Sequence, residues 1–331
     1  MVVAALSGLG VLFATSAVPG AAAAAGCAGT AYVTNEQGGT VSVITTATGA
    51  VSATITIGKG PARVAITPDG KHAYATDYVG GEGGTVSVLT TATDVVSAPI
   101  SVGTAPVGLA ITPDGKHAYV TNNRDGTVSV LTTATDVVSA PITVGTAPVG
   151  VAITPDGKHA YVTNLGDGTV SVITTATGAV SAPITVGKGP VGVAITPDGK
   201  HAYVANRFDG TVSVITTATG AVSFPITVGK DPFGVAITPD GKRAYVTNYG
   251  DGTVSVITTA TGAVSAPITV GNSPDGVAIT PDGKRAYVTN FGDGTVSVMA
   301  TATGLVSAPI TVGKGPAGVA ICPARNAHRP R

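Results

Sequence analysis

The chain has 331 residues, with 18 Lys and Arg against 18 Asp and Glu, so its formal net charge is +0. A nucleic-acid binder carries a basic stripe or patch, whereas these cations are scattered among turns such as Lys158-His159 and Lys242-Arg243. No nucleic-acid partner is therefore expected. The length suits one large domain or two small ones, and the regular return of one segment along the chain makes one cooperative body the better reading.

Residues 1–25 differ in character from the rest of the chain. Val2 to Val18 is apolar and uncharged, and Pro19-Gly20 and the run Ala21–Ala25 come next. This is the pattern of a secretory signal with a small-residue cleavage site near Ala25. It predicts a chain that is secreted or held at the cell envelope, without stable membrane insertion once the signal is cut. An uncleaved membrane anchor and a lipoprotein acylated on Cys27 are the rival readings. Residues 26–323 are then one domain, and 324–331, locally basic, a disordered tail.

From residue 31 onward one segment returns about every 42 residues. Its clearest copy is Val151-Ala-Ile-Thr-Pro-Asp-Gly-Lys-His-Ala-Tyr-Val-Thr-Asn164. Thr-Pro-Asp-Gly begins at Thr67, Thr112, Thr154, Thr196, Thr238 and Thr280. Within each unit, four strand-like pieces alternate with turns. Val151–Thr154 leads into the Pro155-Asp156-Gly157 turn, where proline presets φ and glycine accepts positive φ. Ala160–Asn164 is the second strand, and Leu165–Gly168 carries the Asp-Gly hairpin signal. Thr169–Ile173 alternates at period two. Val180–Val186 is the fourth strand, with Pro183 suited to an outer edge because it donates no hydrogen bond. Such sheets bury their faces only by stacking on one another, and radial stacking leaves short, protected edges.

The ends of the chain fix the closure. It enters at Ala31–Asn35, a second strand without a first, and leaves at Val319–Cys322, a first strand without a second. The two fragments complete one composite blade, and the tyrosines at 32, 74, 119, 161, 203, 245 and 287 count the blades. The expected fold is all-β: a seven-bladed propeller of four-stranded antiparallel blades. Aligning Tyr32 with Tyr74 sets Cys27 opposite Asp69 and Cys322 opposite Thr67, across one hairpin end. That alignment predicts a Cys27–Cys322 disulfide, which suits an exported protein.

Tyr161-Val-Thr-Asn164, with Thr-Pro-Asp-Gly before it and Gly-Thr-Val-Ser-Val after it, resembles the YVTN family of β-propeller repeats. That resemblance extends over about residues 28 to 323 and, more distantly, to seven-bladed lactonase-like propellers. It implies an exported bacterial or archaeal surface protein, and it attaches no catalytic residue to the motif.

Candidate chemistry is sparse because nearly every polar residue is a repeat copy. His72, His117, His159 and His201 share one repeat position, too widely spaced around a ring to bind one metal ion. The Asp-Gly aspartates give one carboxylate per blade, where a hard cation wants six to eight oxygens together. The closing asparagines, such as Asn164, read as braces for the following loop. No metal, cofactor or catalytic residue is assigned. The unique residues lie in the loops of one face: Glu36-Gln37, Arg63, Tyr78 with Glu82, Arg124, Arg207-Phe208, Asp231 with Phe233, Tyr249, Asn272 with Asp275, and Phe291. Of these, Tyr78, Arg124, Arg207, Phe208, Phe233, Tyr249 and Phe291 form the candidate binding set, with Phe208, Phe233, Tyr249 and Phe291 placed to make one arc. The expectation is a monomeric, non-catalytic binding or structural module that presents this face to a protein or glycan at the cell surface. A hydrolase or lactonase with its site at the channel mouth is the alternative, and a unique acidic and basic cluster there would favour it.

Overall fold

The computed structural model describes residues 27–78 and 83–323. The signal-like segment, Glu82 and the basic tail lie outside the described residues.

Seven antiparallel sheets form a ring. We number the blades in chain order from the one that opens at Pro61–Ile66, so that blades 2 to 6 open at Pro106–Ile111, Pro148–Ile153, Pro190–Ile195, Pro232–Ile237 and Pro274–Ile279. Blade 7 is the composite one. Its innermost strand, Pro316–Ile321, pairs with Thr30–Asn35, and Thr40–Thr45 and Val51–Thr56 complete it. Each innermost strand lies against those of the two neighbouring blades, and blade 7 contacts both blade 6 and blade 1. The ring is closed.

The repeated Tyr-Val-Thr-Asn run explains itself in blade 3. Because side chains alternate across a strand, Tyr161 and Thr163 face blade 4 while Val162 faces blade 2. Tyr161 is buried among Ala202, Val204 and Ile215 of blade 4, and its hydroxyl donates to the Thr217 carbonyl (3.4 Å). Thr163 Oγ1 donates to the Val191 carbonyl of blade 4 (2.7 Å) and accepts from Gly150 N–H (2.8 Å). Val162 packs with Tyr119 and Val128 of blade 2. Asn164 donates to Thr169 Oγ1 and Ser171 Oγ and accepts from Gly145 N–H (3.1 Å), bracing the connection from the preceding blade.

Two observations refine the sequence reading. The fourth strand is shorter than Val180–Val186: only Ile184–Thr185 is a strand, with an isolated bridge between Val180 and Ile173. Pro183 cannot join the ladder, and the equivalent prolines interrupt the other blades. Blade 7 has Thr54 there, and its outer strand runs unbroken from Val51 to Thr56, with Thr54 paired to Ser42. The disulfide is where the alignment put it. Cys27 and Cys322 are bonded, with Cα atoms 5.7 Å apart and a sequence separation of 295, and both are buried in one core cluster with Tyr32.

Candidate functional site

The innermost strands surround a narrow axial cavity of about 220 Å³. One residue of each strand faces its neighbour at closest approach, and in six blades it is glycine: Gly108, Gly150, Gly192, Gly234, Gly276 and Gly318. The spacing requires it, since a Cβ at Gly150 would stand 2.2 Å from the Val191 carbonyl oxygen. Blade 1 alone has a side chain here, Arg63. One residue earlier the other blades have Val, Phe or Ala, but blade 6 has Asp275.

Arg63 and Asp275 meet over blade 7, Nη2 to Oδ1 at 2.8 Å, with the Arg63 side chain 24% and the Asp275 side chain 10% exposed. Arg63 Nη1 also donates to its neighbour's carbonyl at Ala62 (3.2 Å). The Ala62 carbonyl takes one of its five N–H groups, and the Asp275 contact is an ion pair whose Oδ1 makes no well-directed hydrogen bond, so further N–H groups are open to a ligand. Glu36 lies on a turn packed against the innermost strands of blades 7 and 1, near the same pair. It opens a short 3-10 turn after the second strand of blade 7, anchored by its N–H to the Gly315 carbonyl (2.8 Å). Burial, followed by the nearby Asp275 carboxylate, raises the pKa of Glu36 above the usual range, with Arg63 pulling the other way. Burial likewise raises Asp275, opposed by Arg63 and then Arg207.

The mouth continues onto blades 4, 5 and 6. Arg207 lies 3.7 Å from Asp231, and its guanidinium stands 5.9, 5.6 and 5.8 Å from the ring centres of Phe208, Phe233 and Tyr249. Arg63 lies 5.4 Å from the Phe233 ring. Phe233 and Tyr249 are 6.1 Å apart, and Tyr249 and Phe291 6.5 Å, within the range of aromatic pairing.

Of the residues singled out from the sequence, Arg207, Phe233, Tyr249 and Phe291 come together, and Phe208, 62% exposed, joins them through Arg207. Tyr78 and Arg124 stand exposed on blades 1 and 2 and take no part in these contacts. Beside the candidate set, Glu36, Arg63 and Asp275, each unlike its repeat equivalents, are drawn together from three consecutive blades of the ring. The signal was present in the repeat alignment, as Arg63 against six glycines and Asp275 against apolar residues.

Known proteins bear on this site. No curated relative matches the chain. The hydrazine synthase of Kuenenia stuttgartiensis is 27% identical over 78% of this chain and 88% of that one, with a TM-score of 0.72. A periplasmic gluconolactonase of Pseudomonas aeruginosa is 18% identical over 88% of this chain and 98% of that one, with a TM-score of 0.74. A protein of Bacteroides fragilis described as a candidate 6-phosphogluconolactonase is 19% identical over 88% and 97%, with a TM-score of 0.73. At these last two identities the likeness is one of fold. The family described as Lactonase, 7-bladed beta-propeller, matches residues 27–300. That match overturns the expectation of a non-catalytic display module and favours the hydrolase alternative. With most of the ring covered by the match, the chain belongs to the seven-bladed β-propeller lactonase family.

Proposed function

We propose that the protein hydrolyses a lactone at the channel mouth, with Glu36 as general base and Arg63 as the group that stabilises the oxyanion. The observation that carries this reading is the convergence of Glu36, Arg63 and Asp275 at the one place where the repeat is broken three times. A carboxylate whose pKa is raised toward neutrality is a better proton acceptor at working pH than an ordinary one. In this scheme Glu36 takes a proton from water as the water oxygen attacks the lactone carbonyl. The carbonyl oxygen gathers negative charge beside the free N–H groups of Arg63, which Asp275 and the Phe233 ring hold in place. As the carbonyl re-forms, the ring C–O bond breaks, Glu36 returns the proton to the departing ring oxygen, and a hydroxy acid is released.

The printed names of the Pseudomonas and Bacteroides proteins make sugar lactones the first compounds to try. Proton release measured at constant pH, corrected for spontaneous opening, reads the reaction directly. Glu36→Gln, which keeps shape and removes basicity, is expected to lower kcat at least about 100-fold while the fold is retained. Full activity in that variant removes Glu36 from the scheme, and absence of lactone hydrolysis in the parent removes the scheme itself.

The disulfide and the signal-like first 25 residues support an extracytoplasmic location, since disulfides persist in oxidising compartments. Among the described residues no helix is long and apolar enough to cross a membrane. The Tyr-Val-Thr-Asn run, unaltered in five blades and edited in the other two as Tyr74-Ala-Thr-Asp77 and Tyr203-Val-Ala-Asn206, supports the narrower assignment to exported proteins built from that repeat.

A further inference from the structure

We infer that the substrate is an uncharged lactone, and that the mouth discriminates against phosphorylated ones. This rests on the lactonase reading and concerns the charge of what enters.

Recognition of a phosphate dianion calls for cations whose charge is not already spent, with arginines offered in bidentate fashion. Here the two arginines at the channel mouth, Arg63 and Arg207, each face a carboxylate, while Arg124 stands exposed farther out on blade 2. Arg63 is ion-paired with Asp275 at 2.8 Å, and Arg207 stands 3.7 Å from Asp231. Glu36 adds a third carboxylate against two guanidinium groups, and it already lies in the field of Asp275. A phosphate brought here meets fixed negative charge in a half-buried setting, where screening is weaker than in bulk solvent. The lysines Lys59, Lys188, Lys230 and Lys314 belong to the connections between blades at the rim, where Asp209 and Asp251 accept from the Lys188 and Lys230 backbone N–H groups at 2.7 Å, and not to the Arg63–Asp275 contact itself.

What the mouth does offer suits a neutral ring. Phe233, Tyr249 and Phe291 form a continuous half-buried aromatic surface beside the Glu36–Arg63 pole. The apolar face of a lactone ring can lie on such a surface while its carbonyl points at Arg63. Asp231 supports the assignment from its position. It occupies a left-handed site, φ 49°, that is glycine, alanine or serine in the other blades, so this blade alone places a carboxylate there against an arginine.

The test compares glucono-1,5-lactone with its 6-phosphate on the whole protein, by proton release at constant pH and at low and high salt. The expected result is a kcat/KM at least about tenfold higher for the uncharged lactone, a gap that narrows as salt screens the repulsion. Asp231→Asn, which tolerates the left-handed backbone and releases Arg207, is expected to raise the phosphate-to-neutral ratio of kcat/KM several-fold. Equal or better use of the phosphate ester by the parent overturns the inference and leaves the lactonase reading standing. An unchanged ratio in Asp231→Asn, with the variant folded, overturns the part assigned to that carboxylate. Hydrolysis of neither lactone removes the lactonase reading and this inference with it.

Discussion

The two faces of the disc use the same acidic side chains to opposite effect. On the face of the Thr-Pro-Asp-Gly turns, Asp156 accepts from Thr154 Oγ1 (2.6 Å) and Lys158 N–H (3.1 Å), and the other turns repeat this geometry. The threonine hydrogen bond, followed by the lysine N–H, lowers the pKa of Asp114, Asp156, Asp198, Asp240 and Asp282 below the ordinary carboxylate range. Asp69 is lowered as well: burial pulls it upward, but the bonds from Thr67 and Lys71 outweigh that. On the other face Glu36, Asp77 and Asp275 are all raised, in each case by burial first. A carboxylate that recurs with its donors in place is an acceptor that ties off a turn. One that breaks the repeat and is held where its charge is disfavoured is poised for chemistry, or is a flaw in the blade. Substitution separates those last two cases.

The largest expected effect belongs to a departure on the repetitive face. There Cys27 and Cys322 bond across the hairpin end that the chain termini leave open in blade 7. On a chain-entropy model, closing so long a loop contributes about 5 kcal/mol. A Cys27→Ser, Cys322→Ser protein should lose stability of that order in urea titration yet keep its kcat on any lactone at low temperature. A loss of activity without loss of stability would tie the two faces together in a way the separation of roles does not allow.

Next comes the mouth. Arg63→Gly gives blade 1 the residue of the other six blades but leaves the Asp275 charge buried and unpaired, a loss expected near about 3 kcal/mol. Changing both, Arg63→Gly with Asp275→Val, gives the two strands ordinary repeat residues. Stability should return close to that of the parent, because replacing a buried pair by apolar groups is often neutral, while lactone hydrolysis stays lost. Thermal unfolding and initial rates on the two variants read both halves of this. An active double variant would show the pair to be structural.

The fold was legible because each physical need recurs. Tyr161, Thr163, Asn164 and the Pro155-Asp156-Gly157 turn each have a reason visible in one repeat, and the cysteine alignment followed from repeat phase alone. The outer strand is shorter than its apolar pattern suggests, because Pro183 not only suits an edge but interrupts the ladder. Part of the site was legible as well. Phe233, Tyr249 and Phe291 were placed on neighbouring blades, and they do touch. Glu36, Arg63 and Asp275 each differ visibly from their repeat equivalents, but nothing in the sequence pattern joins them. Joining them requires that blades 6 and 1 flank a blade assembled from both ends of the chain, so that residues far apart in sequence lie over one strand. Charge pairing across that strand leaves no mark in periodicity.

The smallest effect tests the other kind of departure. Asp77 stands where the other blades have asparagine. Thr85 and Ser87 hydroxyls donate to its Oδ2 (2.9 and 2.8 Å), but Oδ1 is buried without a hydrogen-bond partner. In blade 3 the asparagine oxygen accepts a backbone N–H and its amide serves the two hydroxyls. Asp77→Asn should therefore stabilise the protein at neutral pH by about 1 kcal/mol and leave lactone hydrolysis untouched. The pH dependence carries the sign. With its pKa raised in the folded state, Asp77 takes up a proton on folding as pH falls from the raised value toward the ordinary aspartate value of 3.8. The parent thus gains on the variant through that window. Below it the two curves run parallel, and both fall as the depressed turn aspartates lose the stability they confer above their unfolded pKa. Urea midpoints for parent and variant from neutral pH into acid decide the point: a gap that widens on acidification would mean that the buried carboxylate is held by an attraction the fold does not otherwise reveal.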